Sequence, residues 1–451
     1  MGSFERRSTM PVPGGELFAW HARPGAFERL VPPWDDVRVV RRTGGLEPGS
    51  EVELRMHLGP IPLTWLARHT ELEEGTRFCD EQVRGPFKTW RHEHIMEDRG
   101  NGSSTLVDRI EWRPPAFERL ARAGIEERLN KMFDYRHDRT ERDLRRHAAF
   151  AELGKKRVVI SGASGLVGSA LASFLSTGGH DVVRLVRREA EGPGELRWDP
   201  ERGEIDRAGL GHVDAFIHLS GENVGEGRWS EARKRSILES RTKSTELIAR
   251  LAAEVRPEVL LVASAIGLYG DRGDAWVDEN SERGTGFLAD VCEAWEGAAE
   301  PARAAGVRTA HLRLGVVLSP KGGALAKLLP IFRLGAGGPV GNGRQYMSWV
   351  SLDDVVYAFH EALFDPALSG PVNVVAPEPV TSREFAKVLG RVLSRPAFLP
   401  VPRIAIDAAF GEMGRETVLA STRARPAKLL EHGYEFEHPS LEEALRFELG
   451  R

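Results

Sequence analysis

The order of apolar and polar positions divides the chain into three textures. Between residues 51 and 58 the alternation is strict. Val52, Leu54, Met56 and Leu58 fall on one side, and Glu51, Glu53, Arg55 and His57 on the other. A period of two with one apolar side predicts a half-buried strand. Leu63–Leu72, Arg77–Val83, Phe87–Met96 and Thr105–Trp112 continue as strands, broken at Gly59-Pro60, Glu74-Gly75, Gly85-Pro86 and Gly100-Asn101-Gly102. After Pro114-Pro115 the period becomes helical as far as Phe150. From residue 155 to about 400, short apolar runs alternate with helical stretches. The strands predicted there are Val158–Ile160, Asp181–Val186, Glu195–Trp198, Asp214–Leu219, Glu258–Ala263, Thr309–Leu314 and Pro371–Val375. The helices include Ser230–Ala253 and Phe287–Ala305. Such alternation predicts a parallel sheet covered on both faces. Residues 396–451 are punctuated by prolines and otherwise helical.

One of the strand-to-helix junctions carries chemistry. Val158-Val159-Ile160-Ser161 runs into Gly162-Ala163-Ser164-Gly165-Leu166-Val167-Gly168 and then into a helix. Gly162 is expected to turn the chain off the strand. Gly165 is expected to let backbone amides approach a diphosphate, and Gly168 to let the helix sit close to the sheet. The positive end of that helix faces the same place. Ser164, Leu166 and Val167 lie in the turn and join the glycines as cofactor-binding candidates. The spacing is GxxGxxG, and its position within a repeating strand–helix pattern gives it weight. The second strand ends in Leu185-Val186-Arg187-Arg188, with no acidic residue at the position that would hold a ribose 2′-hydroxyl. Arg187 and Arg188 instead suit a 2′-phosphate, which predicts NADP(H).

Composition narrows the remaining classes. The chain has 451 residues and a formal net charge of −4, with 41% hydrophobic and 28% charged residues. That suits two or three folded domains, and neither half is basic enough to capture nucleic acid. The longest predominantly apolar stretch, Val259–Leu268, is about half of the roughly 20 residues a membrane span needs. No basic segment followed by an apolar one opens the sequence, so no signal peptide is expected. Two cysteines, Cys79 and Cys292, make no disulfide framework, and a reducing cytoplasm fits.

Several separated motifs then make residues 157–451 resemble the extended short-chain dehydrogenase/reductases, and within them the atypical epimerase-family branch. These are Gly162–Gly168, His218-Leu219-Ser220-Gly221-Glu222, Ser240–Thr245, Ser264-Ala265-Ile266-Gly267-Leu268-Tyr269-Gly270, Leu312–Leu318, Gly343–Asp354 and Gly370–Pro377. The resemblance implies a Rossmann-type α/β fold with a doubly wound parallel sheet over residues 155–395, and a small helical substrate-side region over 396–451. It adds Leu219, Ser220, Gly221 and Ser264 to the cofactor-binding candidates. Residues 1–152 more loosely resemble the START/polyketide-cyclase-like (SRPBCC) helix-grip fold, through Phe18–Trp20, Trp65–His69 and Gly85–His94. That implies an α+β domain around an apolar ligand.

Ordinary members of the superfamily use a Ser or Thr after the fifth strand and a Tyr-xxx-Lys pair on the next helix. This chain has no lysine between Lys243 and Lys321, and its one tyrosine there, Tyr269, precedes the helix. Proton transfer therefore falls to other groups. Ser264 and Tyr269 are candidates to hydrogen-bond a carbonyl oxygen, with hydride passing between the nicotinamide and a carbon held near them. Glu296 would serve as acid or base if burial raised its pKa. Leu288, Cys292 and Glu296 share a helix face, read as the one toward the cofactor, with Cys292 as a small apolar residue. Arg344 and Gln345 are the substrate-binding candidates, and Asp353 reads as a helix cap.

His92 and His94 point to one side of a strand, but with no third ligand evident in the sequence no metal is expected. The expected function is an NADP-dependent oxidoreductase or epimerase-like enzyme for a small carbonyl or alcohol, fused to a domain for an apolar ligand. Without the Tyr/Lys pair, the alternative is a non-catalytic NADP-binding sensor.

Overall fold

The computed structural model describes residues 1–58, 61–114 and 118–451, and the side chains of all of these except residue 58 and residues 118–121. The Gly59-Pro60 break and Pro115 lie outside the described residues. By contacts the chain forms two compact units. One is residues 1–155 with 173–179 and 450; the other is 156–172, 180–449 and 451.

The first unit contains β1 (Gly2–Met10), α1 (Gly14–Ala22), α2 (Ala26–Leu30), β2 (Arg38–Thr43), β3 (Glu51–Leu58), β4 (Ile61–Glu73), β5 (Arg77–Arg84), β6 (Thr89–Asp98), β7 (Ser104–Arg113) and the 31-residue α3 (Glu118–Ala148). Its strands form one antiparallel sheet in the order β1-β7-β6-β5-β4-β3-β2. This is the α+β helix-grip arrangement. Along β6 the buried positions are Trp90, His92, His94 and Met96, the period of two that a one-sided sheet imposes. Trp90, Ile110 and Trp112 pack on Leu129 and Phe133 of α3. Two imidazoles thus sit in a row whose other members are apolar.

The second unit contains β8 (Arg157–Ser161), residues 166–172 of α4 (Leu166–Thr177), β9 (Asp181–Val186), β10 (Glu195–Asp199), β11 (Glu204–Ile205), β12 (Ala215–His218), α5 (Glu231–Val255), β13 (Val259–Ala265), α6 (Phe287–Gly297), β14 (Arg308–Leu314), α7 (Leu352–Phe364) and β15 (Gly370–Val374). The sheet order is β11-β10-β9-β8-β12-β13-β14-β15. All pairs are parallel except β10 with β11. This is the Rossmann-type doubly wound sheet, and its order reverses between β8 and β12. Val158, Val159, Ile160 and all of β12 are buried, as strands covered on both faces require.

The helix predicted over Phe287–Ala305 is two. α6 stops at Gly297, and a second helix, Glu300–Ala304, follows with Pro301 in its first turn. Proline has no N–H to extend a helix, but its fixed φ suits a helix start. The C-terminal region is helical, at Arg403–Phe410, Glu412–Thr417, Ala427–Glu431 and Leu441–Leu449. Leu441, Leu445 and Leu449 share a core with Leu325, Phe332 and Leu389.

Candidate functional site

The glycine turn joins β8 to α4 at the point where the strand order reverses, the place where a doubly wound sheet opens a crevice. Its glycines are required for different reasons. Gly162 has φ +74°, and a Cβ there would lie 2.8 Å from the Leu219 carbonyl carbon. A Cβ on Gly168 would lie 2.1 Å from the Gly162 carbonyl oxygen, so only glycine lets α4 approach β8. At Gly165 a Cβ would meet only the Gly162 oxygen, at 3.3 Å, with open space elsewhere. The Gly165 N–H donates to the Gly162 carbonyl (3.0 Å), and the Gly165 carbonyl accepts from Ser169 (2.9 Å). Ser164 and Gly165 are exposed, while Leu166 and Val167 are half-buried. The first turn of α4 presents amides without intrahelical partners, so the cradle fits an anionic diphosphate.

Leu219, Ser220 and Gly221 follow β12 and border the turn through Gly162. His218, just before them, is fully buried between two hydroxyls, with Ser161 Oγ 2.6 Å from Nδ1 and Ser244 Oγ 3.1 Å from Nε2. Burial, helped by the Arg241 charge, pushes its pKa down to about 3, so it is a neutral brace between β8, β12 and α5. Arg241 donates to the carbonyls of Ile237 (3.1 Å) and Glu222 (2.9 Å), and its guanidinium lies 4.9 Å from the Trp295 ring centroid. The arginines after β9 divide. Arg188 is held by Glu195 at 2.7 and 2.8 Å, with Glu191 at 3.3 Å. Arg187 is exposed, and no ion-pair partner for it is found among the described residues.

The three candidate catalytic residues come together, but in a closed network. Ser264 Oγ, at the end of β13, donates to Glu296 Oε1 at 2.7 Å. Arg313 of β14 grips the same carboxylate with two bonds of 2.9 Å. Its third nitrogen donates to the Tyr269 hydroxyl at 2.9 Å, and that hydroxyl donates to Asn373 Oδ1 at 2.8 Å. Asn373 in turn holds Glu279 through its backbone N–H (2.9 Å) and the Arg425 carbonyl through its side chain (3.0 Å).

Ser264 and Tyr269 are buried, with relative exposures of 2% and 0%. Burial alone would push the Glu296 carboxyl up, as the sequence reading required. The hydrogen bonds and charge of Arg313 outweigh burial and hold the carboxyl below its ordinary value. Burial pushes the Tyr269 phenol up to about 12, even beside Arg313. The sequence reading missed Arg313, Asn373 and Glu279. A signal was available, because an arginine or asparagine inside an apolar strand must find a partner there.

The face of α6 carrying Leu288 and Cys292 meets the turn after β13. A Cβ on Gly267 would lie 3.3 Å from Leu288 Cβ and 3.7 Å from Cys292 Sγ. Burial raises the Cys292 thiol to about 12. Arg344 is exposed. Gln345 Nε2 instead ties its loop to the carbonyls of Val340 (3.1 Å) and Val418 (3.3 Å). The cap of α7 is Ser351 rather than Asp353. Ser351 Oγ accepts from the Asp354 N–H at 3.0 Å and donates to its carboxylate at 2.7 Å. The same carboxylate accepts the backbone N–H of Glu437 (2.8 Å) and His438 (3.2 Å), which fixes the C-terminal segment.

In the first unit a cleft of about 400 Å³ is lined by Trp34, His57, Arg128, Lys131 and Met132, a mixture of apolar and charged groups. No helix among the described residues is long and apolar enough to cross a membrane.

Family models match three stretches of the chain. The NAD dependent epimerase/dehydratase family model matches residues 158–375. The polyketide cyclase / dehydrase and lipid transport model matches 10–134, and a domain of unknown function matches 401–448. An epimerase family protein of Mycobacterium bovis is 46% identical over 290 residues, which cover 64% of this chain and 96% of that protein. The crystal structure of the nucleoside-diphosphate sugar epimerase from Corynebacterium glutamicum matches 99% of this chain and 90% of that one, with TM-score 0.81 and 33% identity. The structure of human epimerase family protein SDR39U1 with NADPH matches 65% of this chain and 99% of that one, with TM-score 0.60 and 32% identity. With its glycine turn at the switch point and no Tyr/Lys pair, the chain belongs to the epimerase family, as an atypical short-chain dehydrogenase/reductase carrying an N-terminal cyclase-like domain.

Proposed function

We propose that this chain is an NADP(H)-dependent oxidoreductase of the epimerase-like kind, acting on a carbonyl or alcohol of a small molecule. Its three functional parts are an apolar-ligand domain (1–152), the nucleotide domain (155–395) and a substrate-side region (396–451). The observation that carries the reading is the open, Cβ-free space at Gly165 at the start of α4, in the same unit as the exposed Arg187. The amides of Ser164 and Leu166–Gly168 hold the diphosphate, and Leu219–Gly221 border it. Arg187 takes the 2′-phosphate, and Arg188, braced by Glu195, sets the loop that presents it. The NADPH in the human relative's structure supports this choice over NAD.

When bound, the nicotinamide supplies hydride chemistry. Ser264, Tyr269 and Glu296 act through Arg313 as positioning residues that fix the end of β13 and the turn after it. Arg344, exposed in its loop, is the cation offered to an anionic or polar substrate. Calorimetric titration of the full chain with NADPH and NADH tests the cofactor; a tighter Kd for NADPH is expected, and equal constants would remove the 2′-phosphate role. Single-turnover oxidation of NADPH against a panel of small carbonyls tests the reaction.

A second reading, an NADP(H)-binding sensor, is favoured by the Ser264–Glu296–Arg313–Tyr269–Asn373 network, whose groups are all engaged with one another. Tight NADPH binding with no oxidation by any carbonyl decides for the sensor.

A further inference from the structure

The first unit holds a second polar centre, unrelated to the nucleotide fold. β5 and β6 pair so that Asp80 lies opposite His92, and β6 and β7 so that His94 lies opposite Asp108. All four side chains face inward, beneath His137 of α3. Asp108 Oδ1 accepts from His92 Nε2 at 2.8 Å and lies 2.7 Å from His94 Nδ1; Asp108 Oδ2 accepts from His137 Nε2 at 2.7 Å. One carboxylate is therefore hydrogen-bonded to His92 and stands against the Nδ1 of His94.

The other nitrogen of each ring faces Asp80. Asp80 Oδ2 stands 3.6 Å from His92 Nδ1 and 3.6 Å from His94 Nε2. These are too long for hydrogen bonds. They are close to the separation of about 3.4 Å between two donors on one tetrahedral ion with bonds of about 2.1 Å. The three donor atoms all lie within 4.8 Å of one another. Phe78 stacks on His94 with centroids 4.2 Å apart and fixes that ring.

We propose that Asp80, His92 and His94 bind one divalent transition-metal ion of the zinc class, with Asp108 as the carboxylate that orients both imidazoles. A carboxylate behind a metal-bound histidine places the proton on the far nitrogen and leaves the near one as a lone-pair donor. Here Asp108 is hydrogen-bonded to His92 in this way and lies 2.7 Å from His94 Nδ1. Two imidazoles and one carboxylate suit zinc or ferrous iron rather than calcium or magnesium. Three protein donors leave at least one position for water or a ligand oxygen inside the cyclase-like domain.

His21 of α1, His69 opposite Asp80 on β4, and Arg136 and His137 of α3 also face the centre.

The test uses the full chain, stripped with a chelator and dialysed. Zn²⁺ is titrated by calorimetry in two buffers and Co²⁺ by visible absorption. The expected result is one tight ion per chain and d–d bands of a low-coordinate cobalt centre. Asp80→Ala, His92→Ala and His94→Ala should each weaken binding by more than about 100-fold, and Asp108→Asn by about 10- to 100-fold with the bands shifted. Circular dichroism checks that each variant folds. If a histidine variant does not, the cobalt spectrum of the unaltered chain and the Asp80→Ala variant still decide. A wild-type chain with no cobalt bands, or Asp80→Ala binding as tightly as wild type, overturns the proposal.

Discussion

Each unit buries a polar centre, and the two are built from different materials. At the end of β13, the Glu296 carboxylate is neutralised by Arg313, whose charge is permanent, and every group is within hydrogen-bond distance of its partner. Under α3, two carboxylates share several histidines, and Asp80 stands off both rings at 3.6 Å. The first centre is closed, and its charges do not change across neutral pH. The second is adjustable, because imidazole gains and loses protons in that range and offers lone pairs when neutral. A buried charge paired with arginine serves as a fixed brace, and one paired with histidine can exchange a proton for something else.

The contrast breaks most sharply at Arg313. Arg313→Ala leaves Glu296 buried without its cation, and a loss of about 3–5 kcal/mol is expected in denaturant unfolding. The double variant Arg313→Met/Glu296→Leu should recover most of it. If the single variant were as stable as wild type, the network would be no brace.

The next effect is pH-dependent and confined to the first unit. His94 is raised above its unfolded value near 6.5, so its contribution is fully present below that pH and is lost as pH rises through about 9. In chelator, the protection of β6 and β7 amides against hydrogen exchange should fall by about 2–3 kcal/mol between pH 6.5 and 9.5, after correction for the intrinsic rate. β13 and β14 should stay level, because the lowered Glu296 stays ionised throughout that window. An equal fall in both units would erase the distinction.

Three smaller changes sharpen the nucleotide site. Gly165→Ala meets only one atom, at 3.3 Å, so the fold should persist while NADPH affinity drops by about 10- to 100-fold in calorimetry. Gly168→Ala, with its Cβ 2.1 Å from the Gly162 oxygen, should instead lower the melting temperature. Arg187→Ala should cost about tenfold in NADPH affinity and leave NADH unchanged. A matching loss for NADH would place Arg187 elsewhere on the cofactor.

Much of the fold was legible because burial imposes a period. The strands of the parallel sheet are near-continuous apolar runs, and β3 to β7 alternate. The edge strands β1 and β2 were not legible. β2 is exposed along its whole length, and β1 has only Phe4 and Met10 as sizeable apolar side chains. An edge strand with little to bury writes no pattern. The break after Gly297 was hidden by alanines that suit either state. The glycine turn was readable because each glycine answers a local steric demand. Arg313 and Asn373 were passed over, because a polar residue within an apolar run does not say what it meets.

By itself the sequence determined which segments form strands and helices, the dinucleotide turn, the absence of a Tyr/Lys pair, and two imidazoles on one side of β6. These follow from periodicity and spacing, which are local. Only the tertiary structure decided that Glu296 faces Arg313, that Arg188 is paired with Glu195 while Arg187 has no ion-pair partner among the described residues, and that Asp80 stands beside both His92 and His94. Those outcomes depend on strand order and register, which set neighbours across the sheet by backbone pairing and core packing over the whole domain.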